Sequence, residues 1–411
     1  MQISGIDSVV YSIRDTFSQY GYNEFKMNKF EEYDLYVKNK DFLISKNVIT
    51  FTDTNGKLLA LKPDVTLSNV KNTKDGMGVK KVFYSENVYR VSSKSNGYKE
   101  IPQMGLECIG DLDSYNVAEV ITLAKSSLDK ISTANVLEIS PVGIVLDYVN
   151  DLSLNDNVKE QVYKLIDDKN VHELSTILQE NGVQKSDIEL LTKVVNLYGP
   201  VKSILKELKQ IFIGKKQEKL VADFEEVLAC LEESVLDGVT IDCSACQNVK
   251  YYNDITFRGY IENVPKAVLS GGRYDGLLKT MGKKSGAIGF AIYLDEFDRL
   301  FACKKEYDVD VLVLYTDKTD VKVVIKTIKD LVSKGKTVRA SKTILENVTF
   351  KDIIVFSDDS DFNSTISLNG CNEEHNIKNI TFQNITHNGK RLTTPEALHI
   401  NSNEFSEFKV L

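Results

Sequence analysis

Few residues in this chain of 411 amino acids have types and spacing that suggest chemistry. Cys243-x-x-Cys246 has the spacing of a metal or redox pair. A zinc site needs four ligands and a thioredoxin-like site needs a βαβ setting, whereas here there is no second CxxC and no histidine close in sequence. The pair therefore reads as chance spacing. The four histidines, His172, His375, His387 and His399, lie in a helical stretch and towards the end of the chain. None is poised for acid–base work, and solvated or core histidine is the better reading. No metal and no cofactor is expected. The segment SGGRYDGL, residues 270–277, is more informative. Its paired glycines allow close backbone approach, and Arg273, Tyr274 and Asp275 place a guanidinium, a ring and a carboxylate on one short segment. It is no phosphate loop, because the Walker pattern ending in Lys-Ser/Thr is missing. Taken alone, it suits a tight turn as well as a site.

Composition narrows the setting. The chain is 42% hydrophobic and 27% charged, which excludes wholesale disorder and collagen-like repeats. Lys and Arg number 51 against 59 Asp and Glu, a net charge of −8, so there is no global signature of nucleic-acid binding. No apolar run reaches the roughly 20 residues of a membrane span. The opening MQISGIDSVVYSIRD lacks the basic start and apolar stretch of a secretory signal. Six scattered cysteines read as reduced thiols, so a cytoplasmic location is expected. The length suits two to three domains.

The elements that must position any site follow from periodicity. Ile6, Val9, Val10, Ile13, Phe17 and Tyr20 recur at helical spacing and predict an opening amphipathic helix. VITFTDTNGKLLAL alternates on both sides of Asn55-Gly56, a hairpin signal in which both turn residues need positive φ. Residues 80–89 and 101–110 read as strands joined by a polar loop, and a helix is expected over 117–131. Helical patterns then run from about 146 to 236, punctuated by Asn181-Gly182 and Gly199-Pro200. Strand-like sequence resumes at Thr240 and continues through YYNDITFRGY (251–260), residues 266–269 and GAIGFAIYL (286–294). Beyond Lys304, VDVLVLY, a helix over 320–334, TVRA and DIIVF begin a third section that ends in turn-rich, β-like sequence with Asn369-Gly370 and Asn388-Gly389. No internal repeat is apparent.

The segments LALKPDVTLSNV, VFYSENVYR, YKEIPQMGLECIG, YYNDITFRGY, SGGRYDGL and GAIGFAIYLDE occur in an order that resembles the catalytic core of histidyl-tRNA synthetase, a class II aminoacyl-tRNA synthetase. The resemblance implies an α+β fold, with an antiparallel sheet of about six or seven strands flanked by helices. It implies a core over 1–145 and 237–303, a helical insertion over 146–236, and a divergent C-terminal anticodon-binding-like α/β domain over 307–411. It also implies a homodimer, although Asn28 stands where the family's interface proline belongs. By the same resemblance Asp64, Gln103 and Thr66 would hold an α-ammonium, and Glu107 would accept from an imidazole. Tyr251, Tyr252 and Tyr274 would wall the ring. Histidine is thus the expected ligand, since a buried ammonium desolvates only against anionic or carbonyl partners.

The adenylation machinery of that family is depleted. Arg90 fits the motif 2 arginine, but Ser92 follows where an acidic residue belongs. Gln247 or a neighbour stands at a second arginine position, Glu296 at the motif 3 arginine, and Tyr293 in place of a glycine; Arg299 lies one helical turn further on. Each lost donor costs roughly a hundred- to a thousandfold in rate, and a carboxylate facing a triphosphate would repel it. Residues 308–411 carry 13 basic and 15 acidic side chains, a balance ill-suited to gripping RNA. A synthetase-like chain without these donors resembles the regulatory subunit of ATP phosphoribosyltransferase, a catalytically silent paralogue of histidyl-tRNA synthetase. That resemblance implies assembly with a short-form catalytic subunit as a hetero-octamer, activation of the first step of histidine biosynthesis, and a part in histidine feedback. A tRNA- or ligand-sensing module and an active histidyl-tRNA synthetase are the alternatives, separable by salt-dependent tRNA binding and by pyrophosphate exchange.

Overall fold

A computed structural model describes residues 5–39, 42–43, 47–76, 78–91, 97–246, 251–297, 309–315, 320–341, 349–351, 354–355, 366–368, 377–402, 404 and 406–411. The chain divides into a unit Gln2–Cys303 and a unit Lys304–Leu411, to which Met1 is also assigned. No helix among the described residues is long and apolar enough to cross a membrane.

The larger unit begins with α1 (Gly5–Gln19), whose Ile13 and Phe17 are buried. Short strands β1 (Asn23–Glu24) and β2 (Phe30–Glu32), helix α2 (Tyr33–Lys38), strands β3 (Thr50–Thr52) and β4 (Leu58–Leu61) and helix α3 (Thr66–Lys71) follow. The β3–β4 connection differs from the expected two-residue turn. Asn55 keeps negative φ and only Gly56 is left-handed, at +81°. Instead, Asp53 Oδ1 accepts from the backbone N–H of both Asn55 and Lys57 at 2.8 Å, which suits a longer loop.

Two long strands, β5 (Lys80–Val91) and β6 (Tyr98–Gly110), pair antiparallel along their whole lengths. Helix α4 (Ser114–Ile131) starts at a capping box formed by Asp113 and Asn116, and β7 (Asn135–Ser140) follows. Helical structure then sets in at α5 (Val142–Asp151) and continues through α6 (Asp156–Asp167), α7 (Val171–Glu180) and α8 (Lys185–Val195). A short strand, β8 (Tyr198–Pro200), precedes α9 (Val201–Phe212), α10 (Glu218–Ala229) and α11 (Glu233–Leu236). The chain returns through β9 (Val239–Asp242), β10 (Thr256–Ile261), β11 (Leu269–Arg273), α12 (Asp275–Thr280) and β12 (Gly286–Tyr293), closed by a 3₁₀ turn at Leu294–Glu296.

These strands form one sheet in the order β1-β5-β6-β12-β11-β10-β7-β9-β8. Its centre, from β5 to β7, is antiparallel as expected, whereas β1–β5 and β7–β9 pair in parallel. The sheet is therefore mixed and wider than anticipated. One face carries Phe83, Leu106, Phe290, Phe257 and Ile139 into a continuous apolar core with α1 and α4, which also takes in Leu174, Phe212 and Phe224 of the inserted helices. Phe17 meets Phe83 and Phe290 there at 6.0 and 5.9 Å between ring centroids.

Two segments depart from the sequence expectation. SGGR is no tight turn: it lies within β11, between β10 and β12. A Cβ on Gly271 would stand 2.5 Å from Gly289 O and 2.6 Å from the Phe257 ring, so these glycines make room for neighbouring strands and rings. Conversely, Tyr251–Ile255 is irregular, and strand begins only at Thr256.

In the smaller unit, β13 (Val311–Leu314), α13 (Val321–Ser333) and β14 (Val338–Ser341) form a βαβ element with parallel strands. The following strands pair in parallel with partners 32 residues on, Thr349 with Thr381 and Ile354 with Thr386, and Phe350 stacks on Phe382 at 5.1 Å. The stretch that showed no repeat in sequence thus lays down successive parallel turns. Asn388 and Gly389 both take positive φ, making the tight hairpin their dipeptide predicts, while Asn369-Gly370 lies outside the described residues.

Candidate ligand-binding site

The sheet face opposite the α1–α4 core is built from alternate residues of five strands. Register places Glu107, Gly289, Gly272 and Thr256 in one row across it. Tyr84, Gly105, Ala291, Ser270 and Arg258 make the next row, and Glu86, Gln103 and Tyr293 the third. Small residues along the middle leave a floor on which a cavity of about 810 Å³ opens. A Cβ on Gly289 would come within 2.0 Å of Glu107 Oε2, so this glycine creates the space that the carboxyl group occupies. Gly289→Ala is expected to destabilise the chain by about 1–3 kcal/mol, as overpacking does, and chemical denaturation would measure it. An unchanged denaturation midpoint would contradict this tight fit.

All eight residues singled out from the resemblance line this cavity: Asp64, Thr66, Arg90, Gln103, Glu107, Tyr251, Tyr252 and Tyr274. Gln103 and Glu107 come from the same face of β6, four residues apart. Asp64 and Thr66 stand at the entry to α3, where Asp64 Oδ1 accepts from the Leu67 N–H at 3.0 Å. Tyr274 directly precedes α12, and its hydroxyl donates to Glu107 Oε2. Thr66 Oγ1 donates to Glu107 Oε1 at 2.6 Å. Tyr251 packs on Tyr252 and Tyr274 at 4.7 and 5.5 Å between centroids, and Phe42 closes on Tyr251 at 6.2 Å. The irregular backbone of 251–255 is what lets both tyrosines of that dipeptide reach the cavity; a strand would send them to opposite faces. Tyr84, Phe42 and Tyr293 also line it. Of these, Tyr84 could have been found from its pairing opposite Gly105, where a large side chain fills the space a glycine leaves.

The electrostatics are unusual for so enclosed a place. Glu107 is almost wholly buried, and burial pushes its carboxyl up to about 8; the Thr66 and Tyr274 hydroxyls pull it down and the Asp64 charge adds to the rise. Asp64 is also raised by burial, against Arg90 and two backbone N–H groups that favour its charged form. Burial lifts the phenols of Tyr84, Tyr251, Tyr252 and Tyr274 as well. Gln103 is 3% exposed, and its Nε2 has no hydrogen-bond partner among the described residues. A buried amide N–H without an acceptor costs about 1–3 kcal/mol, which a ligand oxygen would recover. Among the described residues, the cations lining the cavity are Arg90, Arg258 and Lys266. Arg90 Nε donates to Pro63 O at 2.8 Å, Arg258 pairs with Asp167 at 3.5 Å and Lys266 with Glu296 at 2.9 Å. Near Glu107 the groups are therefore two carboxyls and one guanidinium, a complement to a zwitterion with a further basic group.

Glu296 differs from its expected placement. It is not among the residues lining the cavity; its carboxylate pairs with Lys266, which is. Ser92, Gln247 and Arg299 lie outside the described residues. Asn28 is exposed in the link between β1 and β2. Cys243 and Cys246 are buried core thiols, raised by burial, and no cluster of His, Cys, Asp or Glu among the described residues could hold a metal. His172 is exposed and does not line the cavity; in the smaller unit His399 is exposed and His387 buried, and His375 lies outside the described residues.

A largely antiparallel sheet with this cavity on its open face defines a class II aminoacyl-tRNA synthetase-like protein. The chain belongs to the histidyl-tRNA synthetase family, whose family model matches residues 1–297. It is similar to the ATP phosphoribosyltransferase regulatory subunit of Clostridium kluyveri, 29% identical over 353 residues that cover 83% of this chain and 88% of the relative. Among solved structures it is similar to an ATP phosphoribosyltransferase regulatory subunit/histidyl-tRNA synthetase from Bacillus halodurans C, with TM-score 0.69 and 20% identity over 82% of this chain and 88% of that one. It is also similar to a chain of the ATP phosphoribosyl transferase (HisG:HisZ) complex from Thermotoga maritima, with TM-score 0.53 and 20% identity over 70% and 96% of the two chains.

Proposed function

We propose that this chain is the non-catalytic regulatory subunit of an ATP phosphoribosyltransferase, that it binds histidine in the cavity, and that it activates a short-form catalytic subunit. The observation that carries the ligand is the enclosed set of Glu107, Asp64, Gln103 and Arg90 beside the rings of Tyr251, Tyr252 and Tyr274. Glu107 meets the imidazole, Asp64 and Gln103 Oε1 take the α-ammonium with Thr66 beside them, and Arg90 lies within range of a carboxylate. Oriented hydrogen bonds to charged ligand groups are the strong ones in a buried site. Adenylation needs cations aimed at the phosphate, and Lys266 and Arg258 are already paired with carboxylates. The catalytic chemistry therefore belongs to a partner, and the names of similar proteins support a catalytic subunit in that place; the assembly offered is a hetero-octamer with a short-form catalytic subunit, built on a homodimer of this chain. Histidine can bias such an assembly only by binding its states unequally. The division offered is a synthetase-like core over 1–145 and 237–303, the inserted helices over 146–236 and a divergent C-terminal domain over 307–411; a cytoplasmic location fits this role.

Reconstitution tests this. Adding the chain to a short-form catalytic subunit is expected to raise the rate of phosphoribosyl transfer from phosphoribosyl pyrophosphate to ATP, and histidine to lower it again. A rate indifferent to the added chain would remove the regulatory role.

A further inference from the structure

The cavity is one space whose floor residues fall into two groups along the strand order. Ser270, in the middle of its floor, stands in the row between those of Gly289 and Tyr293. Tyr293 rises from β12 directly opposite Gln103, after Gly289 and Ala291 on the same face. Tyr252 reaches the cavity from the irregular stretch before β10, its Cδ1 2.7 Å from where a Cβ on Gly272 would stand. In strand order Gln103 and Glu107 of β6 lie on one side of Tyr293, and Arg258 and Tyr260 of β10 on the other. The rows of Glu107 and Gln103 are four residues apart on β6, a span of ~13 Å that one amino acid fills when side chains reach inward from both ends.

We propose that Tyr293 is a specificity-determining partition that narrows the cavity on the carboxyl side of its amino-acid ligand. The cavity then accepts a free α-amino acid and rejects the same residue extended through its carboxyl group. Rejection by a built-in clash costs the site nothing when the correct ligand binds. This inference rests on the proposed histidine site.

Titration calorimetry with L-histidine and the dipeptide L-histidyl-glycine tests it on the full chain. The unaltered protein is expected to favour L-histidine by about 50-fold or more, and Tyr293→Ala to narrow this to about fivefold by improving dipeptide binding, with L-histidine changed by no more than about threefold. Tyr293→Phe keeps the bulk and is expected to keep the preference. An unchanged preference in Tyr293→Ala overturns the partition, as does loss of L-histidine binding from that variant while it remains folded. Should Tyr293→Ala fail to fold, Tyr293→Leu is expected to narrow the preference partway, and no narrowing overturns the partition equally. Failure of the unaltered protein to bind L-histidine at all would instead strike the histidine site itself.

Discussion

Glu107→Ala is expected to weaken histidine binding by roughly 30- to 1,000-fold, the equivalent of about 2–4 kcal/mol for removing one side of a buried, charge-assisted hydrogen bond. The size follows from position. Glu107 is almost fully buried, both of its oxygens are held by hydroxyls, and its carboxyl group occupies the space that Gly289 leaves open. Its removal strands the Thr66 and Tyr274 hydroxyls as well as the ligand's ring. Calorimetry on the isolated chain measures the affinity, and the same variant in the assembled enzyme is expected to blunt histidine's effect in parallel. Full inhibition at unchanged histidine concentration would take the sensor out of this cavity.

The second large effect is on pH. Histidine affinity is expected to be highest between about 6.5, where free imidazole gains its proton, and about 8, where Glu107 loses its own. In that window the empty site already holds the one proton that the Glu107–imidazole pair shares. Below about 6.5 the ligand arrives with a second proton that must be released, and affinity falls about tenfold per pH unit. Above about 8 the pair must draw its proton from solvent, and affinity falls by up to about tenfold per unit until the bound pair itself deprotonates. Glu107→Gln is expected to abolish the alkaline limb and leave the acid limb. Stability has its own sign. Folded Glu107 titrates above an unfolded carboxyl, so the folded state binds more protons between about 4.3 and 8 and loses stability as pH rises across that window. The Gln variant is expected to flatten that component of the denaturation profile. An alkaline limb that persists in Glu107→Gln would assign it to another group.

The spacing on single strands and helices was legible in the sequence. Period-two alternation puts Gln103 and Glu107 on one face of β6, and helical spacing puts Ile13 and Phe17 in the core. What was not legible depends on neighbours far along the chain. Ser270-Gly271-Gly272 has the composition of a turn, yet it lies mid-sheet because Phe257 and Phe290 crowd the glycines from both flanking strands. Tyr251 to Ile255 has strand propensity but gives up the ladder, and two rings gain the cavity. Glu296 aligned with a phosphate-binding arginine, but alignment cannot show that Lys266 from another segment takes its charge. In the last section, Thr349-Phe350 and Thr381-Phe382 mark corresponding turns of a parallel stack. Two residues in thirty-two are too faint a repeat to find by eye.

The claim on which the account turns is that the cavity binds a histidine it does not activate. The direct measurement is histidine-dependent exchange of pyrophosphate into ATP by the isolated chain, with magnesium present and histidine saturating by calorimetry. On the sequence resemblance, which puts Gln247 or a neighbour and Glu296 at two of the family's phosphate-facing arginine positions, exchange is expected to be lower than an active synthetase's by roughly four to six orders of magnitude, and so indistinguishable from background. Exchange that rises with histidine would contradict the account and make the chain an aminoacyl-adenylate-forming enzyme.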